Sequence, residues 1–243
     1  MNDLMQLGME EFAKAFDAER QGFPEGRPVR TGGKPTKANP GAENDLWWQQ
    51  NGPAFVASWI TWRQNNPNLH VLTMDDGQPA IELAVVAEVQ AGEDSVDLKG
   101  YIDRVFVDAS TGEVLIVDLK SGKTTPNSMQ LGFYRRALKA AYGIDAQYGA
   151  YWMAREGTLS GIEDLSVYTD EVVDYWVATT YAGIKNNIFL PHISWACAGC
   201  GVKEHCYVYH KDARFSPIVT NTCLLYTSPS PRDRTRSRMP SSA

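Results

Sequence analysis

The chain has 243 residues, of which 43% are hydrophobic, and this length and composition are typical of one domain with a sizeable core. No segment approaches the ~20 apolar residues needed to span a bilayer, and the stretch up to Arg20 has no signal-peptide core. A formal net charge of −6 argues against non-specific coating of nucleic acid but allows a local basic groove. We therefore expect a cytoplasmic protein with no membrane partner.

The N-terminal region is predicted to be helical. Residues 1–19 can form an amphipathic helix, and residues 21–43, rich in Gly, Pro and Lys, are typical of a connecting loop. A second helical signal begins at Asp45, and Pro53 is placed at a predicted helix start. Four tryptophans accompany this signal: Trp47, Trp48, Trp59 and Trp62. A tryptophan stripe can stack on bases, but core packing against a sheet is the favoured interpretation.

Three consecutive strands are predicted over residues 80–89, 96–107 and 114–120, with a hairpin turn between the first two. The third, Val-Leu-Ile-Val-Asp-Leu-Lys, is typical of a central strand buried on both faces. Because strand side chains alternate, it ends with Asp118 and Lys120 on the same face. Two charged residues at the end of a buried strand indicate a functional site.

Asp103, in the second predicted strand, is expected to share its face with Tyr101, Val105 and Val107. An unpaired carboxylate in such apolar surroundings is costly, so Asp103 needs a cation. Lys120, a metal ion or both can supply it. Two aspartates and a lysine on adjacent strands suit metal-assisted hydrolysis of a phosphodiester, because carboxylates hold a hard divalent cation while the lysine orients water or steadies phosphate charge.

A helix is predicted over residues 129–142, with Asn127 or Ser128 as its N-cap. Gln130 falls inside the apolar face of this helix, one turn before Tyr134, and a buried glutamine needs hydrogen-bond partners. The opposite side carries three basic residues that either contact phosphate groups or are simply solvated: Arg135, Arg136 and Lys139.

The remaining predicted elements are a strand over residues 146–153, a loop over residues 157–165 and a helix over residues 170–186, capped by Thr169 or Asp170. The central order is therefore helix, three strands, helix, strand, helix. This order indicates an α/β fold.

Two other classes of motif have little support. Residues 121–125, Ser-Gly-Lys-Thr-Thr, resemble the end of a phosphate-binding P-loop, but Val117 occupies a position where that motif requires glycine. The four histidines are scattered, and no serine or cysteine nucleophile has a recognisable context. Neither a nucleotide-triphosphate site nor a hydrolase triad is expected.

A cysteine cluster lies near the C-terminus. Cys197, Cys200 and Cys206 have the spacing C-x2-C-x5-C, with His205 and His210 nearby. Three clustered thiols in a cytoplasmic chain usually bind a metal rather than form disulfides. Zinc held by the three cysteines and one histidine is chemically reasonable, and unliganded reduced thiols are the alternative.

Taken in order, the motif residues resemble the core of the PD-(D/E)xK nuclease superfamily, and most closely its RecB-like exonuclease branch, which has CRISPR-associated and phage members. The residues that carry the resemblance are Glu82, Gly100-Tyr101-Ile102-Asp103, Val117-Asp118-Leu119-Lys120-Ser121-Gly122-Lys123 and Gln130-x-x-x-Tyr134. The resemblance implies a restriction-endonuclease-like core, a mixed central sheet flanked by helices. It also implies a metal-dependent DNA nuclease, an exonuclease of phage or bacterial recombination and repair.

The same resemblance implies roles for individual residues. The implied ligands of Mg2+ or Mn2+ are Glu82, Asp103, Asp118 and the Leu119 carbonyl. Lys120 would position or activate water, and Gln130 and Tyr134 would support the site or contact the DNA backbone. DNA is the implied partner, and a helicase or another recombination protein is a candidate second partner. The alternative is a non-catalytic nucleic-acid-binding module with the same fold.

In RecB-like nucleases with an iron–sulfur cluster, three cysteines at this C-terminal spacing resemble the trio that completes a 4Fe-4S site, with a fourth cysteine far upstream. This chain has no cysteine upstream of Cys197, and upstream of the predicted core it also has no Gly-x-x-x-His segment of the kind that often adds a metal ligand. We therefore expect a fragment whose natural start precedes Met1.

The final segment, from Cys223, resembles the translation of a transposase sequencing adapter, and an interaction tail is the alternative. The expected organisation is an N-terminal helical region with its connector (residues 1–79), a nuclease core (80–194), a cysteine-cluster segment (195–222) and an artefactual tail (223–243).

Overall fold

The computed structural model describes residues 2–23, 37, 43–122, 127–188, 197, 200–206 and 209. The chain divides into two compact units, Met1–Tyr175 and Trp176–Ala243. The predicted connector lies largely outside the described residues, and the predicted tail lies entirely outside them.

The helices are α1 (Asn2–Gln21), α2 (Asp45–Asn65), α3 (Met129–Tyr142) and α4 (Asp170–Lys185), the last of which crosses the boundary between the units. The strands are β1 (Leu69–Val71), β2 (Ile81–Ala91), β3 (Asp94–Asp108), β4 (Val114–Lys120), β5 (Tyr148–Met153), β6 (Thr158–Leu159) and β7 (Glu163–Asp164). Single 3-10 turns cover Leu165–Val167 and Lys203–His205. The bounds predicted for α3 and β4 are confirmed.

The seven strands in the described residues belong to one sheet with the order β1-β3-β4-β5-β6, in which β2 also pairs with β3 and β7 with β5. β3 and β4 are antiparallel, whereas β4 and β5 are parallel. A parallel pair needs a crossover connection, and α3 lies in the connection between β4 and β5. The mixed α/β fold that the sequence predicts is confirmed.

Each face of the sheet buries its side chains against a helix. On one face the core includes Ile116, Tyr151 and Leu138 of α3. On the other face it includes Phe106 and Trp152, packed against Trp59 and Trp62 of α2. The ring centroids of Trp59 and Trp62 lie 5.2 Å and 5.3 Å from that of Trp152. Core packing is therefore confirmed for these two tryptophans.

The prediction that a helix starts at Pro53 is wrong. α2 begins at Asp45, where the Trp47 N–H donates a hydrogen bond of 3.0 Å to the Asn44 side chain, and Pro53 lies inside the helix. Because proline has no amide hydrogen, the helical bond to the Gln49 carbonyl is absent there. The N-cap at Asn44 was a stronger start signal than the proline.

Three short strands were not predicted: β1, β6 and β7, the last two within a predicted loop. Each has two or three residues, too few for an alternating pattern to appear in the sequence. They form because longer neighbours offer hydrogen-bonding edges: β1 pairs with the end of β3, and β6 and β7 pair with β5.

The alternation of β3 breaks beside the predicted site. Ile102 and Val105 are both fully buried in the same core cluster although they are three residues apart on one strand. Tyr101 is 45% exposed, so the apolar surroundings predicted for it beside Asp103 and Val105 are wrong. Strict period-two spacing could not predict this break.

The N-terminus of α3 lacks the side-chain capping hydrogen bond that an N-cap serine usually makes. Ser128 occupies the N-cap position, but its side chain makes no capping hydrogen bond. Instead, its hydroxyl is hydrogen-bonded to the hydroxyl of Tyr168, which follows the 3-10 turn after β7. This contact ties the start of α3 to the segment before α4.

Candidate active site

Asp103 and Asp118 lie near each other on neighbouring strands. The antiparallel register of β3 and β4 pairs Val105 with Ile116 and Arg104 with Val117, and Asp103 and Asp118 are the next residues along the two strands. The Leu119 N–H donates a hydrogen bond of 2.6 Å to Asp103 Oδ2. This hydrogen bond and the effect of the Asp103 charge on the pKa of Asp118 place the two carboxylates close together.

Asp118 is buried, with 2% of its surface exposed. Burial raises the pKa of its carboxyl above the ordinary 3.8, a hydrogen bond from Lys120 opposes that shift, and the negative charge of Asp103 adds to it. A buried carboxylate beside a second carboxylate is costly unless a cation is close.

Lys120 lies two residues beyond Asp118 on the same face, and its Nζ is 2.5 Å from Asp118 Oδ2. That oxygen is buried and has no other hydrogen-bond partner among the described residues. The Lys120 Nζ also lies 5.7 Å from the ring centre of Tyr151, and a quarter of its side chain remains exposed. The ammonium group therefore contacts both the buried carboxylate and solvent.

The same tripeptide, Asp-Leu-Lys, occurs a second time at residues 97–99 of β3. There the Lys99 Nζ is 2.9 Å from Asp97 Oδ2, but both side chains are more than half exposed. Exposed pairs of this kind contribute little to stability. Burial by the neighbouring strands and by α3, rather than the tripeptide, distinguishes the Asp118–Lys120 pair.

Gln130 and Tyr134, one turn apart on α3, hold the other oxygen of Asp118. Gln130 Nε2 donates to Asp118 Oδ1 at 3.1 Å and to Tyr134 Oη at 2.8 Å, and the Tyr134 hydroxyl donates to Asp118 Oδ1 at 3.3 Å. Burial raises the pKa of Tyr134 to about 12, so this hydroxyl remains a hydrogen-bond donor at neutral pH. The buried glutamine thus has the partners that its position requires.

Glu82 lies at the edge of this group. The register of β2 and β3 steps from Leu83 and Ile102 to Ile81 and Arg104, which leaves Glu82 opposite Asp103. Its backbone is left-handed, with φ of 50°, an uncommon conformation for a residue other than glycine. Desolvation raises the pKa of Glu82, and the charges of Asp103 and Asp118 raise it further, while Arg104 opposes them. Three carboxylates therefore share one electrostatic environment.

The three basic residues of α3 named above are all paired with acidic side chains. Arg135 contacts Asp145 at 2.8 Å, Lys139 contacts Asp170 at 3.0 Å, and Arg136 donates to both carboxylate oxygens of Asp174 at 2.9 Å and 3.0 Å. Arg135 also donates to the backbone carbonyls of residues 146 and 168. These contacts give all three a structural role.

The donor atoms around Asp118 decide whether a divalent cation fits this site. In the described part of the chain, no group of three or more His, Cys, Asp or Glu side chains is arranged to hold a metal ion alone. Mg2+, however, is usually held by one or two carboxylates together with water and substrate phosphates. Asp103 and Asp118 supply two such carboxylates. Among the described residues, the buried Asp118 Oδ2 is contacted only by the ammonium group of Lys120. The donor chemistry fits Mg2+ or Mn2+.

The three predicted cluster cysteines belong to the second unit. Cys197, Cys200 and Cys206 are half-buried thiols outside any disulfide, and the Cys200 N–H donates to the Cys197 carbonyl at 3.3 Å. Within the described residues they are not arranged as a metal site, alone or with His205. His210 and Cys223 lie outside the described residues.

Sequence reasoning missed two residues that contact the site or the end of its strand. Tyr151 is opposite Asp118 in the parallel register of β4 and β5, and its hydroxyl donates to the Asn127 carbonyl at 2.7 Å. Arg155 donates to the carbonyl of Ser121, the residue after Lys120, at 2.7 Å. Strand order could have indicated Tyr151, but no local signal marks Arg155.

None of the described helices is long and apolar enough to cross a membrane. Among known proteins, the chain is 29% identical over 188 residues to the Gene 69 protein of Mycobacterium phage D29, covering 68% of this chain and 67% of that protein. It is 28% identical over 161 residues to the Gene 69 protein of Mycobacterium phage L5, covering 63% of this chain and 52% of that protein. Among solved structures, it is similar to the crystal structure of SSO0001, with a TM-score of 0.40, 16% identity, and coverage of 68% of this chain and 71% of that one.

The family model of the PD-(D/E)XK nuclease superfamily matches residues 6–207, which includes every residue of the group around Asp118. The match extends over most of the chain, and the chain therefore belongs to the PD-(D/E)XK nuclease superfamily.

Proposed function

We propose that the protein is a metal-dependent deoxyribonuclease that hydrolyses phosphodiester bonds with Mg2+ or Mn2+. The observation that carries this proposal is the environment of Asp118. One oxygen of this buried carboxylate contacts Lys120, the other accepts hydrogen bonds from Gln130 and Tyr134, and the charge of Asp103, on the neighbouring strand, raises its pKa. Such convergence of titratable groups with a raised carboxyl pKa is typical of catalytic sites.

The residues take separate roles in this proposal. Asp103 and Asp118 hold the cation, with the Leu119 carbonyl and Glu82 as further candidate ligands. A bound divalent ion would supply charge neutralisation for the scissile phosphate and a lower pKa for a bound water. Lys120 orients the attacking water or steadies the negative charge that develops on the phosphate. Gln130 and Tyr134 fix the orientation of the Asp118 carboxylate, which is the function of hydrogen bonds behind metal ligands.

We further propose an exonuclease that acts on phage or bacterial DNA during recombination or repair, in the cytoplasm of an infected cell. Its support is the similarity to two mycobacteriophage proteins and the resemblance of the motif set to RecB-like exonucleases. A helicase or another recombination protein is the proposed partner.

The test uses linear duplex DNA labelled at both ends and, separately, covalently closed circular duplex DNA, each with Mg2+, with Mn2+ and with a chelator. An exonuclease releases labelled nucleotides from linear DNA and leaves the circle intact, and neither substrate changes in chelator. Cleavage of the circle would identify an endonuclease instead. DNA binding without cleavage under every condition would identify a non-catalytic binding module and would contradict the proposed enzyme.

A metal or iron–sulfur cluster at Cys197, Cys200 and Cys206 is a separate proposal that rests on the spacing of the cysteines. Zinc and a 4Fe-4S cluster each need four protein ligands, so three thiolates leave one position for another ligand. Among the described residues, His205 is the candidate for that position. Elemental analysis of the purified protein, beside a Cys200→Ser variant, tests it. Iron or zinc that is lost in the variant supports the proposal, and its absence from both proteins contradicts it.

A further inference from the structure

Arg155 joins two parts of the first unit that are distant in sequence. It lies two residues after the end of β5, and its Nη2 is 2.6 Å from Oε2 of Glu43, the residue before the N-cap of α2. Its Nε donates a hydrogen bond of 2.7 Å to the carbonyl oxygen of Ser121. One guanidinium group therefore connects the start of α2 to the residue that follows β4.

The guanidinium group is enclosed by aromatic rings. Its central carbon lies 5.1 Å from the ring centre of Trp47 and 5.8 Å from those of Trp48 and Phe55. The Arg155 side chain is 18% exposed and that of Glu43 is 8% exposed, so the ion pair is largely desolvated. A planar group with several fixed donors can stack on rings and serve two acceptors at once, which a lysine ammonium in the same place does less well.

The contact reaches the proposed catalytic lysine through the backbone. Ser121 directly follows Lys120, and the Ala154 N–H donates a hydrogen bond of 2.9 Å to the Lys120 carbonyl. Ala154 and Arg155 thus hold the carbonyls of two consecutive residues at the end of β4. The backbone at Lys120 and at the next residue is therefore held by hydrogen bonds from the segment that follows β5.

We propose that Arg155 is a positioning residue for Lys120: paired with Glu43 and stacked on the rings of α2, it anchors the Ser121 carbonyl and thereby holds the Lys120 ammonium against Asp118. This role rests on the proposed nuclease function, because it concerns the placement of the lysine used in that reaction. A small displacement of a catalytic group lowers turnover more than it lowers substrate binding.

The test compares two double variants that each remove a largely buried ion pair. In Arg155→Met/Glu43→Gln both charges are removed together, so no uncompensated charge remains in the aromatic cluster. The matched control is Arg136→Met/Asp174→Asn, which removes a two-fold hydrogen-bonded pair between α3 and α4. The single variant Arg155→Lys keeps the positive charge beside Glu43 but loses the planar fork, and it replaces the double variant if that protein does not fold.

Two measurements separate positioning from general stability. The first is amide hydrogen exchange at Ala154 and Leu119, whose N–H groups bond to Lys120 O and Asp103 Oδ2. We expect exchange at Ala154 to accelerate roughly tenfold in the Arg155 variants, with no change in the middle of the β2–β3 hairpin. The second is the nuclease reaction, in which we expect kcat to fall roughly 10- to 100-fold while the DNA dissociation constant is unchanged. The control variant should show neither effect.

The proposal is overturned if Ala154 exchanges as in the wild-type protein, or if the Arg155 and Arg136 variants change exchange and kcat equally, since that result indicates a general loss of stability. If the wild-type protein does not cleave DNA, the proposed function fails while the exchange experiment still decides whether Arg155 fixes the end of β4. Accelerated exchange confined to Ala154 and its neighbours then supports the anchoring contact.

Discussion

Lys120 Nζ lies 2.5 Å from Asp118 Oδ2, and the two side chains project from one face of the same strand, two residues apart. The pair is buried on the carboxylate side and open to solvent on the ammonium side. This asymmetry suits a lysine that serves a reaction, because the ammonium group can exchange its carboxylate contact for one with a substrate phosphate.

Replacement of Lys120 by Ala should lower kcat for DNA cleavage roughly 100-fold, because it removes a charge that stabilises the transition state. DNA affinity should change little. The control is Lys99→Ala, which removes the lysine of the identical but exposed Asp-Leu-Lys tripeptide of β3. Steady-state rates for both variants check this prediction, and an equal loss of rate in the two would contradict a special role for Lys120.

The raised pKa of Asp118 predicts a pH dependence of folding in metal-free buffer. Between 3.8 and the raised pKa, the folded protein holds a proton that the unfolded chain does not. The contribution of Asp118 to the free energy of unfolding is therefore fully present below 3.8 and is lost as pH rises through the folded pKa.

Urea unfolding of the wild-type protein and Asp118→Asn, from about pH 4 to about pH 7, should show the wild-type stability falling relative to the variant as pH rises. Saturating Mn2+ should reverse the sign for the wild-type protein, because the cation binds the ionised carboxylate. Parallel curves for the two proteins without metal would show that burial does not shift this group.

Tyr134→Phe removes one of the two donors to Asp118 Oδ1 and leaves Gln130 Nε2 without one of its acceptors. We expect metal affinity or activity to fall about 10- to 100-fold, as is common when the partner of a metal ligand is lost. The matched control on the same helix is Tyr142→Phe, because the Tyr142 hydroxyl donates instead to the Ala84 carbonyl at 3.0 Å. Calorimetric Mn2+ titration of both variants checks the prediction, and equal affinities would contradict the role of Tyr134.

Gly132→Ala should destabilise the fold although it improves helix propensity. Alanine in a helix interior is favoured over glycine by about 1 kcal/mol. A Cβ at this position, however, would lie 2.6 Å from the Tyr168 ring, and overpacking of this kind costs about 1–3 kcal/mol. The steric cost should exceed the helical gain. Thermal unfolding measures the difference, with Gly161→Ala, where a Cβ meets nothing within 4 Å, as the control.

The sequence predicted the elements whose patterns are long and local. The bounds of α3 and β4 agree with the structure because one has a continuous helical stripe and the other an unbroken apolar run. The position of Pro53 inside α2 was not predicted. Proline usually occupies the first turn of a helix, whereas here Asn44 is the N-cap. The exposure of Tyr101 was not predicted because the break in β3 depends on pairing with β2.

The proximity of the candidate site residues could be predicted to the extent that it follows from strand order and helical spacing. One strand, β4, and the helix that follows it bring four of these residues together: Asp118, Lys120, Gln130 and Tyr134. Arg155 could not be found in this way, since its partners Ser121 and Glu43 are 34 and 112 residues away in sequence. Arginine is usually a surface residue, and contacts between residues that are far apart in sequence leave no periodic pattern.

The central claim, that Asp103 and Asp118 hold one divalent cation used to cut DNA, is tested most directly by the Mg2+ dependence of cleavage in the wild-type protein and Asp118→Asn. Asparagine keeps the size of the side chain and can still accept from Gln130 and Tyr134, so the fold should be preserved. The account predicts that the wild-type rate rises to a plateau with Mg2+ and is zero in chelator, and that the variant is slower by roughly 100-fold or more at every Mg2+ concentration. Wild-type rates in a correctly folded Asp118→Asn protein would contradict it.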